Sequence, residues 1–170
     1  MDTDANIISN NELRSIFRMC NIDDIMSMLD WTNSEEEQQK GIELARNVKS
    51  INVFLQPLHP GNSKNVWDNC AKILAEKSDE QLNPYVMSLL HWIEDLNWPG
   101  ALVIYERLKK FANVDMLRFC VENYVKSAFA ANDSVKVLNL TGLIENDKLR
   151  SVLQKNIVDI LVALPLIYKR

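Results

Sequence analysis

Residues 63–97 read SKNVWDNCAKILAEKSDEQLNPYVMSLLHWIEDLN, and this stretch decides the fold. Ser63 is placed to cap a helix whose apolar face is Val66, Trp67, Cys70, Ile73 and Leu74, the three-and-four spacing of a single helical stripe. Ser78-x-x-Gln81 has the form of a capping box, in which each side chain satisfies the other residue's free backbone N–H. It opens a second stripe of Leu82, Val86, Leu89, Leu90 and Ile93, with Pro84 near the start, where a missing N–H costs little. No strand-like alternation interrupts either stripe. The stretch is a helical hairpin.

The same pattern recurs outward along the chain. First helices are expected to start at Ser63, at Asn97 or Trp98, and at Asp133, and second helices at Ser78, Asn113 and Asn146. Shifting the sequence by 35 residues lays Trp67 over Leu102 and Val137, Leu82 over Leu117 and Val152, and Leu90 over Val125 and Ile160. A period of this length is the mark of helical-hairpin repeats, in which each pair needs its neighbours to bury its faces. The Trp-x-x-Leu-Gly-x-x-Tyr pattern of tetratricopeptide units is absent from all three. The expected fold is therefore all-α, a short right-handed α–α superhelix of HEAT-like hairpins in one domain. Three repeats would fill residues 63–170, and capping helices residues 1–62. Those caps start at Asn10–Asn11 (with Leu13, Ile16 and Phe17), at Asp23 (with Ile25, Met28 and Leu29), and at Ser34, where Ser34-x-x-Glu37 has the form of a capping box and Glu35, Glu36 and Glu37 suit the helix dipole.

Composition narrows the function. The chain has 170 residues, 47% hydrophobic and 25% charged, enough for one domain with a sizeable core. Four glycines leave little for a phosphate-cradling loop, and no Walker-type or Gly-x-Ser-x-Gly pattern occurs. Cys20, Cys70 and Cys120 are widely spaced on apolar stripes, as reduced, buried thiols would be. The acidic start lacks a secretory pattern, and the apolar run from Ile157 to Tyr168 is short for a bilayer span. A cytoplasmic location is expected. Residues 1–100 carry a net −8 and residues 101–170 a net +4, giving −4 overall. That balance argues against nucleic-acid binding, which favours a basic stripe and a high pI.

The least ordinary segment is His91-Trp92-Ile93-Glu94-Asp95-Leu96-Asn97-Trp98-Pro99-Gly100-Ala101. Its pattern Trp92-x-x-Asp95-x-Asn97-Trp98-Pro99-x-Ala101 resembles the signature of a family of uncharacterised bacterial HEAT-like proteins, a domain of unknown function. The resemblance is strongest from Asp30 to Phe111, taking in Asp30-Trp31, Asn65-Val66-Trp67 and Ser78-Asp79-Glu80. It implies a fold and no activity. Some relatives of this kind look like immunity or accessory proteins of bacterial toxin systems.

Asp95, Asn97, Trp98 and Pro99 are expected to be structural: Asp95 as acceptor for the next helix's free N–H groups or for a nearby indole N–H, Asn97 as that helix's cap, Pro99 in its first turn, and Trp98 pinned with Trp92 across the corner. His91-x-x-Glu94 places two potential ligands on one helical face, but a metal site needs more, and the only other histidine is His59 in a loop. No metal or cofactor is expected. The cysteines lack a setting that would lower their pKa, and no nucleophile–base arrangement is legible, so catalysis is not expected.

The reading is a protein–protein interaction module whose contact surface is the face formed by the second helices, around Trp92, Glu94, Arg118, Glu122 and Tyr124. One alternative is an immunity-type inhibitor that meets a toxin with its acidic first half. Another is a small-ligand binder or enzyme with a cleft near His91 and Glu94. The apolar tail from Leu161 to Tyr168 is expected to fold back at Pro165, which ends the helix. Failing that, it forms the contact of a weak homodimer.

Overall fold

The computed structural model describes residues 21–57 and 63–168. Every regular element among them is helical. The expected helix with Leu13, Ile16 and Phe17, together with Cys20 and His59, lies outside the described residues. Helix α1 (Ile22–Met28) is opened by Asn21, not Asp23, through a capping box with Asp24. Helix α2 (Glu35–Ala45) starts at Ser34, whose hydroxyl accepts from the Glu37 N–H, so the expected box forms in that one direction. A 3₁₀ turn, Lys64–Val66, leads from Ser63 into α3 (Trp67–Ala75). The capping box of Ser78 and Gln81 opens α4 (Asp79–Leu82). A 3₁₀ turn, Asn83–Tyr85, carries Pro84 and leads into α5 (Val86–Trp92), because proline cannot make the α-helical bond.

Helix α6 (Ala101–Lys109) starts later than the sequence implies. Its N-cap is Gly100 at φ 76°, not Asn97 or Trp98. Asn97 instead donates both its backbone and its side-chain N–H to Asp95 Oδ1 at 2.9 Å, closing a local turn. Gly100 takes the left-handed conformation because α6 runs back against α3. A Cβ there would stand 2.5 Å from the Ala71 Cβ and 2.9 Å from the Trp67 carbonyl.

Helix α7 (Val114–Ala130) follows from Asn113, whose own side chain makes no cap bond. The first-turn work is done from the preceding hairpin. Asp79 Oδ2 accepts from the N–H groups of Ala112 and Asn113 at 2.7 and 2.9 Å, while its Oδ1 takes Arg107 Nη2 at 2.6 Å.

The third hairpin departs most from regularity. The expected long first helix is broken into α8 (Val135–Leu138), with Ser134 rather than Asp133 at its N-cap position and no side-chain cap bond, and a 3₁₀ turn, Thr141–Glu145. Thr141 Oγ1 bonds the Leu138 carbonyl at 2.8 Å, the kind of local competition that interrupts helices. Asn146 caps α9 (Asp147–Val152) as expected. The chain then turns extended at Leu153 and restarts as α10 (Lys155–Tyr168), so one expected helix is two. Pro165 lies inside α10 and does not end it. Among the described residues the tail does not fold back: Val162 is 44% exposed, Leu166 66% and Ile167 63%.

The packing is serial. Helix α1 packs on α2, α2 on α3, α3 on α6, and α6 on the 141–145 turn, while α5 packs on α7 and α7 on α9. Side chains lace successive pairs at their helix C-termini, where carbonyls lack intrahelical partners. Lys77 Nζ donates to the Arg46 carbonyl, Arg107 to the Lys77 carbonyl, and Asn146 Nδ2 to the Phe111 carbonyl, at 2.9, 2.9 and 2.8 Å.

Burial shows how the 35-residue spacing is used. Between α3 and α6 the buried positions pair at a shift of 34: Trp67 with Ala101, Cys70 with Ile104, Leu74 with Leu108. Leu102, expected over Trp67, is consequently 60% exposed. Leu82 and Leu117, and Leu90 and Val125, keep the shift of 35. From α7 onward the shift is 36, so Leu153, Leu161 and Leu164 are buried in place of Val152, Ile160 and Ala163.

At the centre three indoles meet edge to face, Trp67 against Trp92 at 6.2 Å and against Trp98 at 5.9 Å. No helix among the described residues is long and apolar enough to cross a membrane.

Candidate functional site

The expected five-residue face does not form as a unit. Trp92 is fully buried, with Nε1 donating to the Pro99 carbonyl at 3.0 Å, and so offers no surface to a partner. Its position follows from the corner: bulk, aromatic neighbours and one satisfied polar atom make it a core residue. Glu122 is also buried, and its Oε1 accepts from the Gln154 N–H at 3.0 Å, serving the start of α10. Negative charge at that position suits the helix dipole, so its task is structural. Arg118 is half-buried on α7, and its Nε is enclosed without a hydrogen-bond partner among the described residues.

Glu94 and Tyr124 are brought together. The Tyr124 hydroxyl donates to Glu94 Oε1 at 2.6 Å, and His91 Nδ1–H donates to the same oxygen at 2.6 Å. His91 lies in the last turn of α5 and Glu94 just past its C-cap, Ile93, so the two stand three residues apart at the helix end. The imidazole also stands edge-on to the Tyr124 ring, with centroids 5.4 Å apart.

A third element completes the site. Helix α7 ends at Asn132 in the left-handed conformation (φ 55°), which asparagine tolerates better than most residues, and the Asp133 N–H bonds back to the Ala128 carbonyl. That turn lays α8 beside Glu94. Lys136 Nζ is 3.7 Å from Glu94 Oε2 and 3.7 Å from Asp133 Oδ2. Asn139 Nδ2 donates to the Glu94 carbonyl at 2.7 Å and ties α8 to the corner after α5.

Between α5, α7 and α8 lies an open cleft of about 270 Å³. Glu94, His91 and Tyr124 form one wall, Asp133 and Lys136 another, and Met87 and Ala128 give apolar surface.

The electrostatics follow from these contacts. Burial works to raise the Glu94 pKa, but the hydrogen bonds from Tyr124 and His91 and the charge of Lys136 outweigh it and hold the carboxyl below its ordinary value. Glu94 is thus a fixed negative charge at neutral pH. Burial pushes the Tyr124 phenol up, and its bond to the Glu94 carboxylate pushes it further. Both groups are driven away from the range in which they exchange protons near neutrality.

Among the described residues no three His, Cys, Asp or Glu side chains converge as a metal site would need. Asp133 and Lys136 were legible in sequence only as a helix cap and a charged helix residue. What signals them is a tertiary fact, the return of the chain beside α5.

No curated protein and no solved structure matches the chain. A family model does match, over residues 63–161. The matched segment contains the 92–101 corner, the whole of α7 and the cleft residues. It leaves out Asp30–Trp31 and runs well past Phe111, so the likeness is placed further along the chain than the sequence resemblance implies. Covering more than half of the 170 residues, the match makes this chain a member of the family described as Domain of unknown function (DUF5071).

Proposed function

We propose that the chain is a non-catalytic protein-interaction module, a short right-handed superhelix of HEAT-like hairpins that receives a partner protein at the cleft between α5, α7 and α8. The observation that carries this reading is the cleft. At about 270 Å³ and open to solvent between three helices, it has room for an inserted side chain and carries both charged and apolar walls to meet one. The serial packing of helix pairs and the near-regular recurrence of buried positions support the superhelix. A binding rather than catalytic role is supported by the direction of the pKa shifts. Glu94 is a poor proton donor and Tyr124 a poor acceptor, while burial pushes the Cys70 thiol up to about 12. The buried free thiols of Cys70 and Cys120 fit a reducing, cytoplasmic setting.

The test uses Ser127→Trp, which fills the cleft from an exposed position on α7, and Glu36→Trp as a control on α2. Tagged parent and variants are used to capture partners from native lysate, read by mass spectrometry. A stoichiometric partner held by the parent and the control but lost by Ser127→Trp supports the reading; retention by Ser127→Trp overturns it.

A second reading keeps the cleft and gives it a small molecule, favoured by the convergence of His91, Glu94 and Tyr124 at 2.6 Å contacts. It expects a metabolite to raise the thermal midpoint of the parent and not of Ser127→Trp.

A further inference from the structure

We infer that the cleft's occupant is a basic side chain of the partner protein, and that Lys136 holds its place in the free chain. This rests on the binding-module reading above and adds the chemistry of what is bound.

Two carboxylates, Glu94 from the end of α5 and Asp133 from the turn before α8, address the same point in space. Lys136 Nζ sits 3.7 Å from each, whereas a charge-assisted N–H···O bond settles at about 2.7–2.9 Å. The Lys136 side chain is 48% exposed and Asp133 is 43% exposed, so the lysine is loosely held and free to swing into solvent. Such exposed pairs contribute little.

Glu94 is the opposite case. Its Oε1 is locked by Tyr124 and His91 at 2.6 Å each, its backbone carbonyl by Asn139, and its side chain is 19% exposed. Its second oxygen, Oε2, is therefore a preorganised acceptor whose only ion-pair partner among the described residues is the loose lysine.

An acidic occupant would meet both carboxylates, and the lysine and histidine it could seek are already engaged by them. An apolar occupant would desolvate a fixed charge. A basic side chain displaces Lys136, lays its methylene stem along Met87 and Ala128, and meets Glu94 and Asp133 together. Arginine suits this better than lysine, because its planar fork presents parallel donors to acceptors on two different elements.

The probe is N-acetyl-arginine methylamide, titrated into the ¹⁵N-labelled full chain and followed by amide shifts of Ser127 and Ala131. The corresponding glutamate and leucine derivatives are run alongside. The arginine probe is expected to shift these amides saturably, and the other two are not. Lys136→Met, which keeps the aliphatic stem, is expected to tighten the arginine probe by about threefold, the scale of an exposed ion pair removed as competitor. Asp133→Asn is expected to weaken it. Lys136→Gln repeats the first comparison with a polar head, should the methionine variant lose its amide dispersion.

Tighter binding of the glutamate probe, or weaker arginine binding in both Lys136 variants, overturns the inference. If no probe shifts the cleft amides while Ser127→Trp still abolishes partner capture, the basic occupant is refuted and the cleft remains the interaction site. If Ser127→Trp retains the partner, the binding reading itself has failed.

Discussion

Gly100→Ala puts the 92–101 corner under direct test. Gly100 sits at φ 76° as the N-cap of α6, a conformation that costs an L-residue roughly 1–2 kcal/mol. The added methyl would also stand 2.5 Å from the Ala71 Cβ, 2.9 Å from the Trp67 carbonyl and 3.3 Å from Trp92 Cζ2. The first two belong to α3, whose Trp67 and Ala71 are buried and cannot step aside. Overpacking of this kind costs about 1–3 kcal/mol. Against these, an alanine narrows the unfolded ensemble by about 0.4–1 kcal/mol. The net loss is about 1–5 kcal/mol. Urea unfolding at 25 °C, followed by tryptophan fluorescence and helical circular dichroism, should show it as a midpoint lowered by about 0.5–2 M with little change in slope. Gly100→Asn separates the two causes. Asparagine tolerates the left-handed region but brings the same Cβ, so it should recover about 1 kcal/mol at most. A loss below about 0.5 kcal/mol for Gly100→Ala would mean that α6 does not approach α3 as described, and the reasoning about the corner would fall with it.

Two further stability predictions concern polar groups in the interior. Trp92→Phe removes the indole N–H that satisfies the Pro99 carbonyl and leaves a gap beside Trp67. It should cost about 1–3 kcal/mol by the same unfolding measurement, with partner capture retained. A loss of capture at unchanged stability would instead restore Trp92 to the binding surface. For Asp79, partial burial works to raise the pKa, but Arg107 and the Asn113 and Ala112 N–H groups outweigh it and hold the carboxyl below its ordinary value. Its stabilisation is therefore present above the unfolded-state carboxyl pKa and is lost as pH falls through the lower folded value. Asp79→Asn should cost about 1–3 kcal/mol at pH 7 and make the decline of stability below about pH 4 shallower than in the parent. Parallel acid limbs in parent and variant would refute that assignment.

The helical class and most helix starts were legible because capping and apolar periodicity are local. The Ser78 and Gln81 box, the Ser34 and Asn146 caps, and the stripes through Leu82–Leu90 and Leu117–Val125 form where the sequence places them. Each depends on residues within one or two turns of each other. The approximate 35-residue spacing was legible for the same reason, being a sum of local lengths. Its true course of 34, 35 and 36 was not, since which residue of an apolar pair faces inward depends on how one helix lies on the next.

Long-range polar contacts were likewise decided only in three dimensions. The acceptor for the start of α7 is Asp79, 34 residues before Asn113, and that for α10 is Glu122, 32 residues before Gln154. A cap is expected beside the helix it serves, so the local sequence marks Glu122 as surface and Asn113 as a side-chain cap, and neither is. The site shows both halves. His91 and Glu94 lie three residues apart at the end of α5, and their pairing could be expected from spacing alone. Asp133 and Lys136 join them because Asn132 turns the chain back beside α5, and Trp92 leaves the site because the α3–α6 corner closes over it. What the sequence determined by itself is what local hydrogen bonds and helical periodicity enforce. The direction each side chain finally faces was left to tertiary packing, because burial depends on partners some thirty residues away.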